Sequence, residues 1–442
     1  MSTRSDSLAR PPGRRCATGF FLLMAATPVI PYIKVSSVGL ALNDFPPILA
    51  VALGGFAVLA QLFAGRSVRV PAVALITGEI ILVAAASTLV HGLDSLDVLA
   101  GPIRWTEITL LVALAFILGA DKGLRSLFLR TVTILGAADA VFGIGAFVVG
   151  YAGPYYIGIE PFRSYQTLHS TFPGRISGTL GLPATGAGAL FALLLPIALG
   201  YAIGARDRQM RIRWAFAAMS LAVGLLFTFD RVSIALGIGL VVVLLGLRLR
   251  PQIALSAAAL SLLLIVASPL RNRFTDSNDR LALWSAALKM IRANPLLGVG
   301  PAQYLHRLPE YQKTSFGLAT ATAHNSVLEA GATLGVAAAV LLVVAVAVSL
   351  GWLPAALRER VRSPELLGAW LGLLGFTLGS LTINYFFTPQ LGLLFWTLAL
   401  ALSRSAPASP AGDDPTGIPP AVPAPRVPTA VRRAVAAGRT PP

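Results

Sequence analysis

A-H-N-S-V-L-E-A-G-A-T-L-G-V-A-A-A-V-L-L-V-V-A-V-A-V-S-L-G, Ala323 to Gly351, passes from four small or polar residues into an apolar run with one charge, Glu329. The run from Ser326 to Gly351 exceeds the roughly 20 residues a helix needs to cross the hydrocarbon core. It is continuous rather than alternating, so it reads as a helical span and not as a barrel strand. Comparable runs fall at about Cys16–Lys34, Pro47–Ala64, Val70–Val90, Ile103–Ala120, Leu127–Gly150 and Ala184–Gly204. Others follow at Trp214–Phe229, Val232–Leu249, Ile253–Ala267, Leu366–Phe386 and Leu391–Ser403. The pattern predicts an all-α integral membrane protein of about twelve transmembrane helices.

Composition agrees. The 442 residues are 55% hydrophobic and 12% charged, against about 25% charged in soluble domains. The net charge of +16 does not imply nucleic acid, because arginines gather in short loops and in the two tails, as the positive-inside bias requires. With the N-terminus inside, the arginine-bearing loops Gly65–Arg69, Asp121–Arg125, Arg206–Arg213, Arg248–Arg250 and Trp352–Arg362 are cytoplasmic. His91–Pro102, Tyr151–Pro183 and residues 269–325 are then outside. Three regions result: a basic cytoplasmic tail over residues 1–15, a polytopic domain over 16–405, and a Pro/Ala/Arg-rich tail over 406–442. The last lacks apolar periodicity and is expected to be disordered and cytoplasmic. The lone Cys16 excludes an internal disulfide and a cysteine metal site.

The outer segment 269–325 is the long polar interruption of the second half. Within it Leu283, Trp284, Ala287, Leu288 and Ile291 fall at helical spacing and predict an amphipathic helix on the membrane surface, headed by Arg280. Asn294-Pro295 ends that helix, and Gly298-Val-Gly300 turns the chain. Arg280 is either a solvated, anchoring residue or an anion ligand. Arg231, in T-F-D-R-V-S (Thr228–Ser233), stands at the outer side against the topology bias. It either pairs with Asp230 and snorkels or serves an anion site. Arg175, in F-P-G-R-I-S-G-T-L-G-L-P-A-T-G (Phe172–Gly186), sits among residues whose backbone N–H groups can approach an anion, or in a plain loop that caps the next helix. His324 is structural or a general base that titrates near neutrality; Asn325 or Ser326 caps the helix that starts there. The remaining histidines, His91, His169 and His306, show no metal-ligand spacing. Arginine forks suit phosphate oxygens, so a diphosphate leaving group held this way needs neither metal nor cofactor.

These segments, in this order, resemble the O-antigen ligase and polymerase-like superfamily of polytopic glycan transferases. R-I-S-G-T-L-G-L-P-A-T (Arg175–Thr185) is similar to its Arg-x-x-Gly segment, and T-F-D-R-V-S to its Thr-x-Ser-Arg-Gly step. The run from Arg280 through N-P-L-L-G-V-G-P-A-Q-Y (Asn294–Tyr304) to A-H-N (Ala323–Asn325) carries most of the likeness. Asp230 and Val232 depart from the Ser and Gly common in the family. The resemblance implies a metal-independent, inverting, C-type glycosyltransferase in a bacterial inner membrane, with its active site toward the periplasm or exterior. It implies an undecaprenyl diphosphate-linked glycan donor, a glycan or lipid acceptor and surrounding membrane lipids as partners. Carried over to this chain, Arg231 and Arg280 hold the diphosphate, His324 activates the acceptor hydroxyl, and Arg175 supports the donor. Tyr304 and Asn325 join the substrate-binding set. A surface polysaccharide polymerase joining lipid-linked repeats is the alternative within this class, and an oligosaccharyltransferase acting on protein serine differs only in acceptor. A polyprenyl-linked sugar transporter is the competing class, for which internal symmetry would be expected; none is read in the sequence.

Overall fold

In the computed structural model, residues 13–31, 33, 42–91, 99–161, 172–179, 183–248, 278–312, 322–359 and 361–404 are described, all within one compact unit, Met1–Ala406. Apolar runs become helices α1 (Arg14–Ala26), α2 (Phe45–Phe63), α3 (Ala72–His91), α4 (Ala100–Leu118) and α5 (Lys122–Val149). A two-stranded antiparallel hairpin follows, β1 (Gly158–Pro161) and β2 (Gly174–Gly178). Then come α6 (Ala184–Gly204), α7 (Arg208–Phe227) and α8 (Arg231–Arg248). After residues 249–277, which are not described, the chain forms α9 (Asn278–Ala293), α10 (Tyr304–Tyr311), α11 (Ser326–Leu334) and α12 (Val336–Ser349). It ends in α13 (Leu353–Glu359), α14 (Pro364–Gly379) and α15 (Pro389–Ser403).

Seven helices among the described residues are long and apolar enough to cross a membrane. That is fewer than the twelve expected. The helices α8 and α15 are apolar but shorter, α1 has 13 residues, and the expected span Ile253–Ala267 and the tail 406–442 lie outside the described residues. At the centre is α6, with 89% of its apolar window buried. A helix apolar on every side belongs in a core. It packs on α7, α8 and α14. Gly368 and Gly372 of α14, four residues apart, let the backbones meet: a Cβ on either would lie 2.2 Å from the carbonyl oxygen of Pro196 or Leu193. Membrane helices lacking a hydrophobic drive associate through such small residues.

Three expectations change. The outer segment 151–183 is not wholly loop, since β1 and β2 pair within it. The expected span Ser326–Gly351 is two helices, broken at Gly335 (φ 92°). The span expected to run to Phe386 ends at Gly379, and a turn over Ser380–Thr388 follows.

The break at Gly335 comes from competition for backbone groups. The Gly-Val-Gly turn folds onto the end of α11, where the Val299 and Gly300 amides donate to the Ala332 and Thr333 carbonyls at 2.8 and 3.1 Å. These carbonyls would otherwise be orphaned. The Val336 amide, at the head of α12, donates to Pro295 O at 2.9 Å. Gly298 (φ +64°) and Gly335 (φ +92°) make the crossing possible, since a Cβ would lie 2.3 Å from Thr333 C and 2.2 Å from Leu296 O respectively. Gly298→Ala is therefore expected to cost about 2 kcal/mol or more and to lower the thermal unfolding midpoint in detergent. Gly55→Ala, with nothing within 4 Å of the added Cβ, is the control. Equal midpoints for the two variants would contradict this account.

Candidate active site

The α5–α6 connection, the α7–α8 turn, the α9–α11 layer and the turn after α14 share one end of the bundle, and the charged residues gather there. Arg175 stands on β2, paired with Glu160 of β1. Its Nε donates to Thr228 O at 2.8 Å, and its Nη1 lies 3.7 Å from Glu160 Oε2. Glu160 also accepts from the Ala184 amide at the head of α6, at 2.8 Å. The guanidinium of Arg175 is thereby held at both ends, by the α7–α8 turn through Thr228 O and by Glu160 of its own hairpin.

That turn carries Asp230 and leads directly into Arg231, the first residue of α8, whose side chain is half-buried. Phe229 takes a left-handed φ of 50°, which turns the chain between two long helices within three residues. The Asp230 carboxylate is 5% exposed. Ser233 Oγ donates to its Oδ2, and the Tyr385 hydroxyl, from the turn after α14, lies 3.4 Å from the same oxygen. Burial raises the Asp230 pKa, with Ser233, Arg175 and Arg280 acting to lower it.

Arg280, half-buried at the head of α9, acts electrostatically on Asp230, Tyr385 and His324. A small second core holds it at that place. Leu283, Ala286, Ala287 and Met290 of α9 pack with Val299, Tyr304, Leu308, Ala323 and Ala332. The amphipathic helix expected from the sequence forms, with a rotated face: Leu288 is exposed while Ala286 and Met290 are buried. Because Ala323 belongs to this core, its neighbour His324 is fixed relative to Arg280.

His324 has φ 52°, uncommon for a residue with a Cβ and worth about 1–3 kcal/mol of strain that the surroundings must hold. Its neighbours supply that hold. The Asn325 side chain caps α11, accepting from the Val327 and Leu328 amides at 3.0 Å, while its Nδ2 donates to Leu381 O at 2.9 Å. The buried Glu329 accepts from the Ala323 amide at 2.6 Å. Ser326 Oγ donates to Asn384 Oδ1 at 3.2 Å. Burial first, and then the Arg280 charge, push the His324 imidazole below its ordinary value of 6.5.

The structure thus brings Arg175, Arg231, Arg280 and His324 to one end of the bundle. Two other expected substrate-binding residues sit differently. Tyr304 is 1% exposed and its hydroxyl donates to Leu283 O at 2.8 Å, which makes it the pin of the small core. Asn325 spends its amide on the helix cap and on Leu381. Sequence reasoning passed over Ser233, Glu160, Glu329 and Tyr385. The available signals were one carboxylate in the apolar run after His324, and the polar T-I-N-Y (Thr382–Tyr385) inside an expected span. Beside Ser326 an apolar groove of about 270 Å³ opens between α11, α12 and α14, lined by Val327, Leu342, Val346, Thr377 and Phe386. Among the described residues no group of three or more His, Cys, Asp or Glu side chains is placed to hold a metal ion.

Residues 176–343 match the family described as O-Antigen ligase. The match includes Arg231, Arg280 and His324 and begins one residue after Arg175. A search of curated proteins returns no match. Over this segment, which is less than half of the chain, the protein is similar to the O-antigen ligase-like superfamily of membrane glycan ligases and polymerases.

The His324 environment makes a prediction independent of any reaction. Its titration, followed by NMR of ring-labelled histidine, has a midpoint below 6.5. Removing the Arg280 charge in Arg280→Gln moves the midpoint upward, because a nearby cation disfavours the imidazolium. A wild-type midpoint above 6.5, or no movement in the variant, contradicts the placement of Arg280.

Proposed function

We propose that this protein transfers a glycan from undecaprenyl diphosphate to an acceptor hydroxyl at the outer face of a bacterial inner membrane. The observation that carries the reading is the meeting of three arginines with a histidine whose pKa is lowered. Arginine keeps its proton and presents a planar fork to phosphate oxygens. Arg231 and Arg280, with Arg175 behind them, bind the donor diphosphate and stabilise the charge it gains as the glycosidic C–O bond breaks. His324, largely neutral at pH 7, takes the proton of the acceptor hydroxyl while its oxygen forms the new bond to the anomeric carbon. Attack opposite the leaving diphosphate inverts that carbon. The apolar groove beside Ser326 suits the isoprenoid chain of the donor, since a groove with almost no polar lining accepts hydrocarbon. Tyr304, Asn325 and Glu329 position these groups rather than touch substrate.

Two outcomes are expected in a reconstituted transfer assay with purified protein. His324→Ala and Arg280→Ala, folded and inserted normally, lose about 10²-fold or more of transfer, the usual weight of a general base or of a preorganised charge. The acidic limb of kcat/KM against pH lies below 6.5, because His324 must be unprotonated to act. Full transfer by either variant would remove the catalytic reading. EDTA leaves the wild-type rate unchanged; strict dependence on a divalent ion would overturn the metal-independent mechanism. In cells lacking the protein, long glycan left on its lipid carrier identifies a ligase, and single lipid-linked repeats identify a polymerase.

A further inference from the structure

Asp230 is a buried carboxylate of this end that the proposed reaction does not use, and it lies within the electrostatic reach of Arg175 and Arg280. Its neighbours among the described residues come from several elements. Its own helix contributes Arg231 and Ser233. The β2 strand contributes Arg175 and α9 contributes Arg280, both acting on it electrostatically. The turn after α14 contributes Tyr385. From α6 comes Gly188, which carries no charge and sits so close that a Cβ would lie 3.2 Å from Asp230 Oδ2. The side-chain contacts to Asp230 Oδ2 are hydroxyls: Ser233 Oγ donates to it, Tyr385 lies 3.4 Å away, and the two hydroxyls are 3.1 Å apart; the Ser233 backbone amide also donates to the carboxylate.

This shell is unusual for a carboxylate in an anion site. A hydroxyl both donates and accepts. Ser233 and Tyr385 can therefore solvate Asp230 as an anion, by donating, or as an acid, by accepting. The Ser233 amide, which can only donate, serves the anion, so the two hydroxyls are the groups that adapt to either state.

Taking the arginines as the donor site, we infer that Asp230 is the counter-anion which the donor diphosphate displaces, so that diphosphate binding is coupled to uptake of a proton by the Asp230 carboxyl. Without donor, the ionised Asp230 balances part of the charge of Arg175 and Arg280. When a diphosphate enters, two anions compete for the same guanidinium groups in a site with little water. Like charges at close range raise the pKa of the weaker acid partner. Asp230, already disposed to protonate by its burial, takes one proton from solvent and becomes neutral. By linkage, donor binding then tightens as pH falls through the range in which Asp230 is ionised in the free protein and protonated in the complex. No bond other than O–H is made or broken in this step.

The test uses the full chain in lipid nanodiscs and inorganic diphosphate as the probe, by titration calorimetry in buffers of different ionisation enthalpy. Diphosphate contributes its own proton inventory, so the quantity read is the difference between wild type and Asp230→Asn, in which that inventory cancels. Wild type is expected to take up about one more proton than Asp230→Asn when the linkage is complete. The variant, a neutral isostere of the acid, is expected to bind diphosphate about tenfold tighter than wild type at a pH where each unit of coupling counts as a factor of ten. Tyr385→Phe keeps the ring and removes one donor to the carboxylate, and is expected to move the midpoint of the coupling to higher pH. Equal proton uptake in wild type and Asp230→Asn, or weaker binding by that variant, overturns this inference and leaves the donor reading standing. If Asp230→Asn does not fold, an unshifted Tyr385→Phe midpoint overturns it. Absence of any diphosphate binding by wild type overturns both.

Discussion

Helix α11 has nine residues, and both of its ends are tied to backbone distant in sequence. At its start the Ser326 amide donates to Ser380 O at 2.8 Å, and Asn325 bridges its own first turn to Leu381. At its end the Ala332 and Thr333 carbonyls are taken by the Gly298–Gly300 turn. A helix this short has little stability of its own, and its orphaned polar groups are costly wherever water is scarce. The chain meets that cost by folding the α9–α10 layer and the turn after α14 against the two ends. Arg280 and Tyr385 arrive at His324 as part of the same closure.

Electrostatics imposes the second constraint. Arg175, Arg231 and Arg280 cannot lose their protons, so at a membrane boundary each must meet an anion, a dipole or water. Glu160 and Thr228 O answer Arg175, and Asp230 lies within reach of both Arg175 and Arg280 electrostatically. Among the described residues three buried carboxylates, Glu160, Asp230 and Glu329, stand at this end with the three arginines, and burial disposes Asp230 to protonate. Each proton so taken up leaves arginine charge unbalanced, a setting that favours an anion over a neutral ligand.

How much of this could be read from the sequence depends on the range of the interaction. Periodicity and run length are local, so α2 through α8 and α9 fall within a few residues of the expected bounds. Arg175, Arg231, Arg280 and His324 stand out in the sequence because each is a charge or an imidazole where an apolar chain should have none. What escaped was set by contacts between distant segments. Gly335 lies in an apolar run and looks like any small residue of a membrane helix; only the turn at Gly298, 37 residues earlier in sequence, makes it a break. Tyr304 has the composition of a ligand residue and was assigned as one, yet it fills the small core. Tyr385 looked like the tail of a span, and acquired its place only because Asp230 is folded against it from 155 residues away.

The two cores meet in α11. The large core runs through α1 to α8 and α11 to α15, with Ala330 and Leu334 of α11 among its members, and is dominated by helices that meet along their lengths. The small one joins α9, α10 and α11 through nine buried residues and contributes Arg280 and the strained His324. A strained φ persists only where its surroundings over-determine it. Around His324 that work falls to Asn325, Ser326 and Glu329, whose partners lie in α11, in the turn after α14 and at Ala323. Arg175 and Arg231, by contrast, are held by the large core. The cluster of the proposed reaction therefore draws on both cores, and His324 is tied to both: to the small one through Ala323, and to the large one through the bonds of Asn325 and Ser326 to Leu381 and Asn384.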